Sequence, residues 1–206
     1  MNNMLFKPNN YSSEHTQLSR TNVALMVLVA GALYAIVHIA NGWLFHFLEL
    51  TDHINFIYLP SFLRVINVLV LGMLWGTLGT ATGGFILFFY FQDSALLSTL
   101  NTAASAGCAV MSLWLLQILQ QRPLALTKLN DLLKLALMNA LLNALLHHSV
   151  WALLDPSQLV SSTQVAYMVI GDINGSIVGA LLLRWLAMHT RLIDIAQQHV
   201  ANTESH

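Results

Sequence analysis

Six long apolar stretches separated by short polar interruptions make up most of this chain. A membrane-spanning helix needs about 20 consecutive apolar residues. The first stretch, 23–48, meets that length. The polar run Glu49-Leu50-Thr51-Asp52-His53 ends it, and apolar character resumes at Ile54-Asn55-Phe56-Ile57-Tyr58-Leu59. Pro60 then resets the backbone, and it suits the first turn of a helix, where its missing N–H costs nothing. Residues 61–91 are too many for one span at about 1.5 Å of rise per residue, and they contain Gly76-Thr77-Leu78-Gly79. The pattern predicts two short helices there, 61–75 and 80–91, joined by a tight turn.

Gln92-Asp93-Ser94 opens the next helix, 95–120, which Gln121-Arg122-Pro123 closes. A further helix is expected over 129–153, ended by Asp155-Pro156-Ser157, and a last one over 164–188. The expected fold class is therefore all-α: a polytopic membrane bundle of about six transmembrane helices. It divides the chain into a polar tail 1–22, a membrane domain 23–189 and a second polar tail 190–206. The first tail has no short apolar core ending in a small-residue cleavage site, so it does not read as a signal peptide. The last tail is too short for a catalytic domain.

Composition strengthens this reading. The 206 residues are 56% hydrophobic and 8% charged, whereas soluble domains carry roughly 25% charged residues. The net charge of −1 sets up no field for nucleic acid. The single cysteine, Cys108, lies in an apolar run and is expected to be a small buried hydrophobe. No Cys/His spacing indicates a structural zinc site.

Charge placement gives an orientation. Lys7, Arg20, Arg122, Lys128, Lys134, Arg184 and Arg191 all fall on one side of a six-span arrangement. The opposite loops, around Glu49-Asp52, Gln92-Asp93 and Asp155, carry no Lys or Arg. The positive-inside rule then places both termini in the cytoplasm. Arg64 is the exception among the basic residues.

Ionisable and amide side chains at membrane depth are costly and mark candidate sites. His38 and Asn41 lie late in 23–48. Arg64 and Asn67 are one turn apart and share a face. Asn101 starts 95–120, and Asn139, Asn143 and His147 recur every four residues along 129–153, with His148 adjoining. Asp172 and Asn174 lie early in 164–188. At about 1.5 Å per residue, Arg64, Asp172, His147 and His38 all fall within roughly 5–15 Å of the outer surface. They are expected to line one outward-facing cavity, with Arg64, Asn67, Asn143, His147 and Asp172 as its ligand-binding set. Arg64 and Asp172 are the natural ion pair. That pair serves equally as a packing device or a ligand contact, whereas each asparagine taken alone reads first as a bond between helices, and His147 and His148 read first as satisfied core or interfacial histidines. His38, His147 and His148 with one carboxylate form a weak candidate zinc set without a spacing motif. No resident metal or cofactor is expected.

Gly171, Gly175 and Gly179 recur every four residues, as do the pairs Gly72/Gly76 and Gly79/Gly83. Small residues at this spacing let helices approach closely, so close packing within the chain is expected. No nucleophile elbow and no paired carboxylates on one helix face are present, and no enzyme activity is expected.

The stretch Tyr58-Leu59-Pro60-Ser61-Phe62-Leu63-Arg64-Val65-Ile66-Asn67-Val68-Leu69-Val70-Leu71-Gly72 with Trp75-Gly76 resembles the early segment of MASE1-type domains, which are bacterial integral membrane sensory modules. Gly171-Asp172-Ile173-Asn174-Gly175 followed by 178–183 is similar to that family's last helix, with its Gly-Asp-x-x-Gly pattern. The matched pieces cover roughly a quarter of the chain. MASE1-type domains are usually longer and fused to a kinase or cyclic-dinucleotide output domain. The resemblance implies a sensor or binder in a bacterial inner membrane that signals through a separate membrane or cytoplasmic protein.

The size, the topology and the outward polar cluster also resemble the substrate-binding subunits of energy-coupling-factor vitamin transporters. In that family helix 1 carries an Ala-x-x-x-Ala docking pattern, whose nearest counterpart here is Gly31-x-x-x-Ala35. That resemblance implies a small-molecule transport subunit. A structural or assembly subunit of a larger membrane complex is the remaining expectation.

Overall fold

Lipid offers no partner to backbone N–H and C=O groups, so apolar runs of this length must satisfy them internally as helices. The computed structural model describes residues 20–51, 54–92, 94–122, 124, 129–154 and 161–189. The predicted polar tails lie almost entirely outside these residues, as do Asp52, His53, Asp93, Pro123 and 155–157 in the loops and the basic residues Lys7, Lys128 and Arg191. The helices are α1 (Arg20–Leu44), α2 (Pro60–Phe91), α3 (Ala95–Gln120), α4 (Leu129–Leu154) and α5 (Ser162–His189). All five are long and apolar enough to cross a membrane. Between α1 and α2 come a 3-10 turn, His46–Leu48, and two short antiparallel strands, β1 (Glu49–Thr51) and β2 (Ile54–Asn55).

Five helices stand where six were expected, because α2 joins two helical pieces across a break, and the turn expected at Gly76–Gly79 is helix. The backbone break sits earlier, at Gly72, with φ 81° and ψ 170°. Only glycine adopts this region without strain. The break is a reversal and not a shallow kink. Asn67 Nδ2 donates to Thr80 Oγ1 at 3.2 Å, yet residues 13 apart on one straight helix would lie ~20 Å apart. Gly76 seats directly on the Asn67 carbonyl, where a Cβ has no room. The arms of α2, residues 60–71 and 73–91, therefore fold back on each other. The first is only ~18 Å long and the second ~28 Å, at about 1.5 Å per residue.

Contacts fix how the helices run. Gly31 of α1 lies against Thr82, and Tyr34 against Gly83, so α1 and the second arm of α2 run parallel. Asn101 meets Trp151, Ser105 meets His147, and Arg122 meets Asp131, so α3 and α4 run antiparallel. Arg20, Arg122, Lys134 and Arg184 consequently gather at one end of the bundle, and the strand pair sits at the other.

The distribution of side chains is inverted relative to a soluble protein. In the apolar window of α1 only 17% of residues are buried, and Leu28, Val29 and Ile36 point outward. The interior instead holds Asn41, Arg64, Asn139, Asn143 and Asp172. An apolar cluster of Val68, Ala109, Leu113, Leu116 and Leu135 fills the basic end of the bundle. The polar residues concentrate towards the strand end.

Residues 54–59 supply the least expected element. After the β2 residues they turn through bends at Phe56 and Ile57 beside α5, and this non-helical segment cannot satisfy its own backbone, a state tolerated in a membrane only when buried in protein. Three neighbours complete the hydrogen bonds. Tyr58 N–H donates to the Gly171 carbonyl at 2.9 Å. Asn41 acts as a peptide mimic: its Nδ2 donates to Ile57 O at 3.1 Å, and its Oδ1 accepts from Leu59 N–H at 2.8 Å. Asn174 Nδ2 donates to Phe56 O at 3.0 Å. The periodic glycines make room for this chain. A Cβ on Gly171 would strike Asn55 O, one on Gly175 would strike Tyr58 O, and one on Gly179 would press into the Phe62 ring. The stripe thus packs within the chain as expected, against the non-helical segment around Asn55 and Tyr58 and the start of α2.

Candidate functional site

The reversal at Gly72 and the non-helical segment carry the first arm of α2 into the middle of the bundle, and Arg64 lies on that arm. Its guanidinium closes a three-membered ring of hydrogen bonds. Nη2 donates to Asp172 Oδ1 at 2.9 Å, and Nη1 donates to Asn143 Oδ1. Asn143 Nδ2 donates to Asp172 Oδ2 at 2.8 Å. All three residues are 1% exposed. The Arg64 guanidinium also lies over the Tyr58 ring, 5.3 Å from its centre, which adds a cation–π contact. A buried ion pair recovers its desolvation cost only when further hydrogen bonds satisfy the remaining donors and acceptors. Asn143 supplies two of these by bridging both partners, and Arg64 Nε remains without one among the described residues.

This ring forms part of the wall of a cavity of about 90 Å³. Helix α1 contributes Tyr34 and His38, the non-helical segment Asn55 and Tyr58, and α3 Asn101 and Ser105. Helix α4 adds His147 and Trp151, and α5 adds Met168. A wider chamber of about 650 Å³ adjoins it at the strand end, where Trp43, His46 and Glu49 form part of the lining. His38, Asn55, Tyr58 and Phe91 line both spaces and separate them. At this partition Tyr58 and His38 are joined, hydroxyl to Nδ1, at 2.9 Å, and the His38 and Phe91 rings meet edge to face.

His147 is oriented by two partners. Its Nδ1 faces the Asn143 carbonyl at 3.0 Å. A carbonyl only accepts, so Nδ1 carries the proton, and in the neutral ring Nε2 accepts from the Ser105 hydroxyl at 3.3 Å. Trp151 Nε1 donates to Asn101 Oδ1 at 3.1 Å on the same wall.

The structure brings Arg64, Asn143, His147 and Asp172 to one cavity. It places Asn67 elsewhere: this side chain bonds Thr80 and ties the arms of α2 together. His38 reaches the cavity, but His148 packs on the Trp151 ring outside its lining. The candidate zinc set therefore does not assemble, and among the described residues no three His, Cys, Asp or Glu side chains converge. Asn139 serves a second buried network, donating to Ser61 Oγ at 3.2 Å and accepting from Cys108 Sγ at 3.2 Å. Cys108 is fully buried.

Sequence reasoning missed Tyr34, Asn55, Tyr58, Ser105 and Trp151. One signal was legible: Tyr34 and His38 are four residues apart and share a helix face. Asn55 and Tyr58 carried no periodic signal, because they lie on non-helical chain between helices. No family model, curated protein or solved structure matches this chain.

Proposed function

We propose that this chain is a sensory or ligand-binding protein of a bacterial inner membrane, holding a small molecule in the polar cavity and acting through a separate protein partner. The observation that carries the reading is the Arg64–Asn143–Asp172 ring on the wall of a cavity that adjoins a wider chamber. Polar groups that served packing alone could close on one another without leaving space between six structural elements. In this reading the chain crosses the membrane six times. The non-helical segment and the first arm of α2 together make one crossing, the basic end faces the cytoplasm, and the chamber opens outward.

The transport-subunit reading has less support. Its docking pair, Gly31 and Ala35, is buried within the chain and not presented to a partner. Native mass spectrometry of the protein in mild detergent tests the proposal. A retained small molecule that is lost in Asn143→Ala supports it. A stoichiometric protein partner with no retained molecule, in wild type and variant alike, would select the assembly-subunit reading.

A further inference from the structure

We infer that the inner cavity takes a small uncharged group of carboxamide or urea type, presenting a hydrogen-bond acceptor to Arg64 and a donor to Asn55. This rests on the ligand-binding reading above. Charge is the first argument. Among the described lining residues the permanent formal charges are those of Arg64 and Asp172, and they cancel at 2.9 Å. Each Arg64 Nη atom already gives one N–H, Nη2 to Asp172 and Nη1 to Asn143, and the Arg64 charge is compensated by Asp172. An anion or a cation would therefore add a net charge that no lining residue offsets. Either carries a desolvation cost that a neutral group avoids.

The second argument is what the wall leaves unsatisfied. Arg64 Nε and Asn55 Oδ1 are buried with no hydrogen-bond partner among the described residues. Arg64 is 1% and Asn55 6% exposed, and both line the cavity. One is a donor that cannot accept, and the other is an acceptor that cannot donate. Buried groups of this kind are costly to leave unpaired. A carboxamide or urea carries a carbonyl oxygen beside an N–H and matches both. The aromatic residues Tyr58 and Trp151 line the same cavity beside these groups.

Size is the third argument. The cavity holds about 90 Å³, less than the roughly 150 Å³ of an engineered cavity that admits benzene. It therefore accommodates the compact polar end of a ligand, and the adjoining chamber has room for the remainder.

The test uses isosteric pairs on the wild-type protein in nanodiscs, read by saturation-transfer NMR titration. The probes are acetamide against acetate and urea against guanidinium, all at non-denaturing millimolar concentrations. The expected result is that each neutral probe binds at least about tenfold more tightly than its charged isostere. Asn55→Ala is expected to weaken acetamide and urea about threefold to tenfold, while its unfolding temperature shows whether the fold is retained. If acetate or guanidinium binds as well as its neutral partner, the inference is overturned while the binding reading stands. If no probe binds and native mass spectrometry finds no retained molecule, the binding reading itself fails.

Discussion

The Arg64 guanidinium and the Asp172 carboxylate meet at 2.9 Å with 1% exposure each, although 108 positions separate them in the chain. Removing one partner strands the other charge in a low-dielectric interior. Arg64→Ala or Asp172→Ala is therefore expected to destabilise the protein by about 3–5 kcal/mol. The double replacement Arg64→Met with Asp172→Leu is expected to recover most of that loss, because no lone charge remains. Unfolding in mixed detergent micelles checks the non-additivity. Additive losses would show that the pair is not coupled.

Asn41 carries two backbone bonds of the non-helical segment, whereas Asn174 carries one at a more exposed position. Asn41→Ala leaves the Ile57 carbonyl and the Leu59 N–H without partners, at about 1–3 kcal/mol per orphaned group. Asn174→Ala is expected to cost clearly less. Comparing unfolding midpoints of the two variants tests the peptide-mimic role of Asn41, and equal losses would count against it.

The glycines separate into those that make room and those that do not. Gly175→Ala drives a methyl group into the Tyr58 carbonyl, which cannot rotate away. The expected loss is at least about 1–3 kcal/mol. Gly72→Ala meets no neighbouring atom within 4 Å, so its cost is purely that of the backbone conformation, about 1–3 kcal/mol. Gly107 lies inside α3 with open space around it, and Gly107→Ala is expected to be neutral or to stabilise by up to about 1 kcal/mol. Thermal unfolding of the three variants in one detergent gives this order, and a stable Gly175→Ala protein would contradict the packing described.

The topology has its own test. His46 lies at the strand end and Gln121 at the basic end, both exposed. Cys108 is buried, so the native thiol gives no background labelling. A membrane-impermeant maleimide is expected to modify His46→Cys in intact cells and Gln121→Cys only after permeabilisation. Labelling of both from the same side would rule out the proposed crossing number.

The sequence by itself determined that this is a helical membrane bundle, because long apolar runs with few charges leave the backbone no other solution in lipid. It also identified Arg64, Asn143, His147 and Asp172 as residues with no reason to be at membrane depth unless they meet. The tertiary structure alone decided how the chain between α1 and α2 is used. Residues 54–59 are as apolar as a helix, and their non-helical path depends on hydrogen bonds from Asn41 and Asn174 and on space left by Gly171 and Gly175, all outside the segment. The place of the reversal was equally hidden. Four glycines lie between 72 and 83, and helix propensity does not distinguish them. In the folded chain Gly76 is helical and sits on the Asn67 carbonyl, and the positive φ falls at Gly72. With the reversal there, Asn67, which shares a helix face with Arg64, turns to the second arm of α2, while Asn55 and Tyr58 reach the cavity.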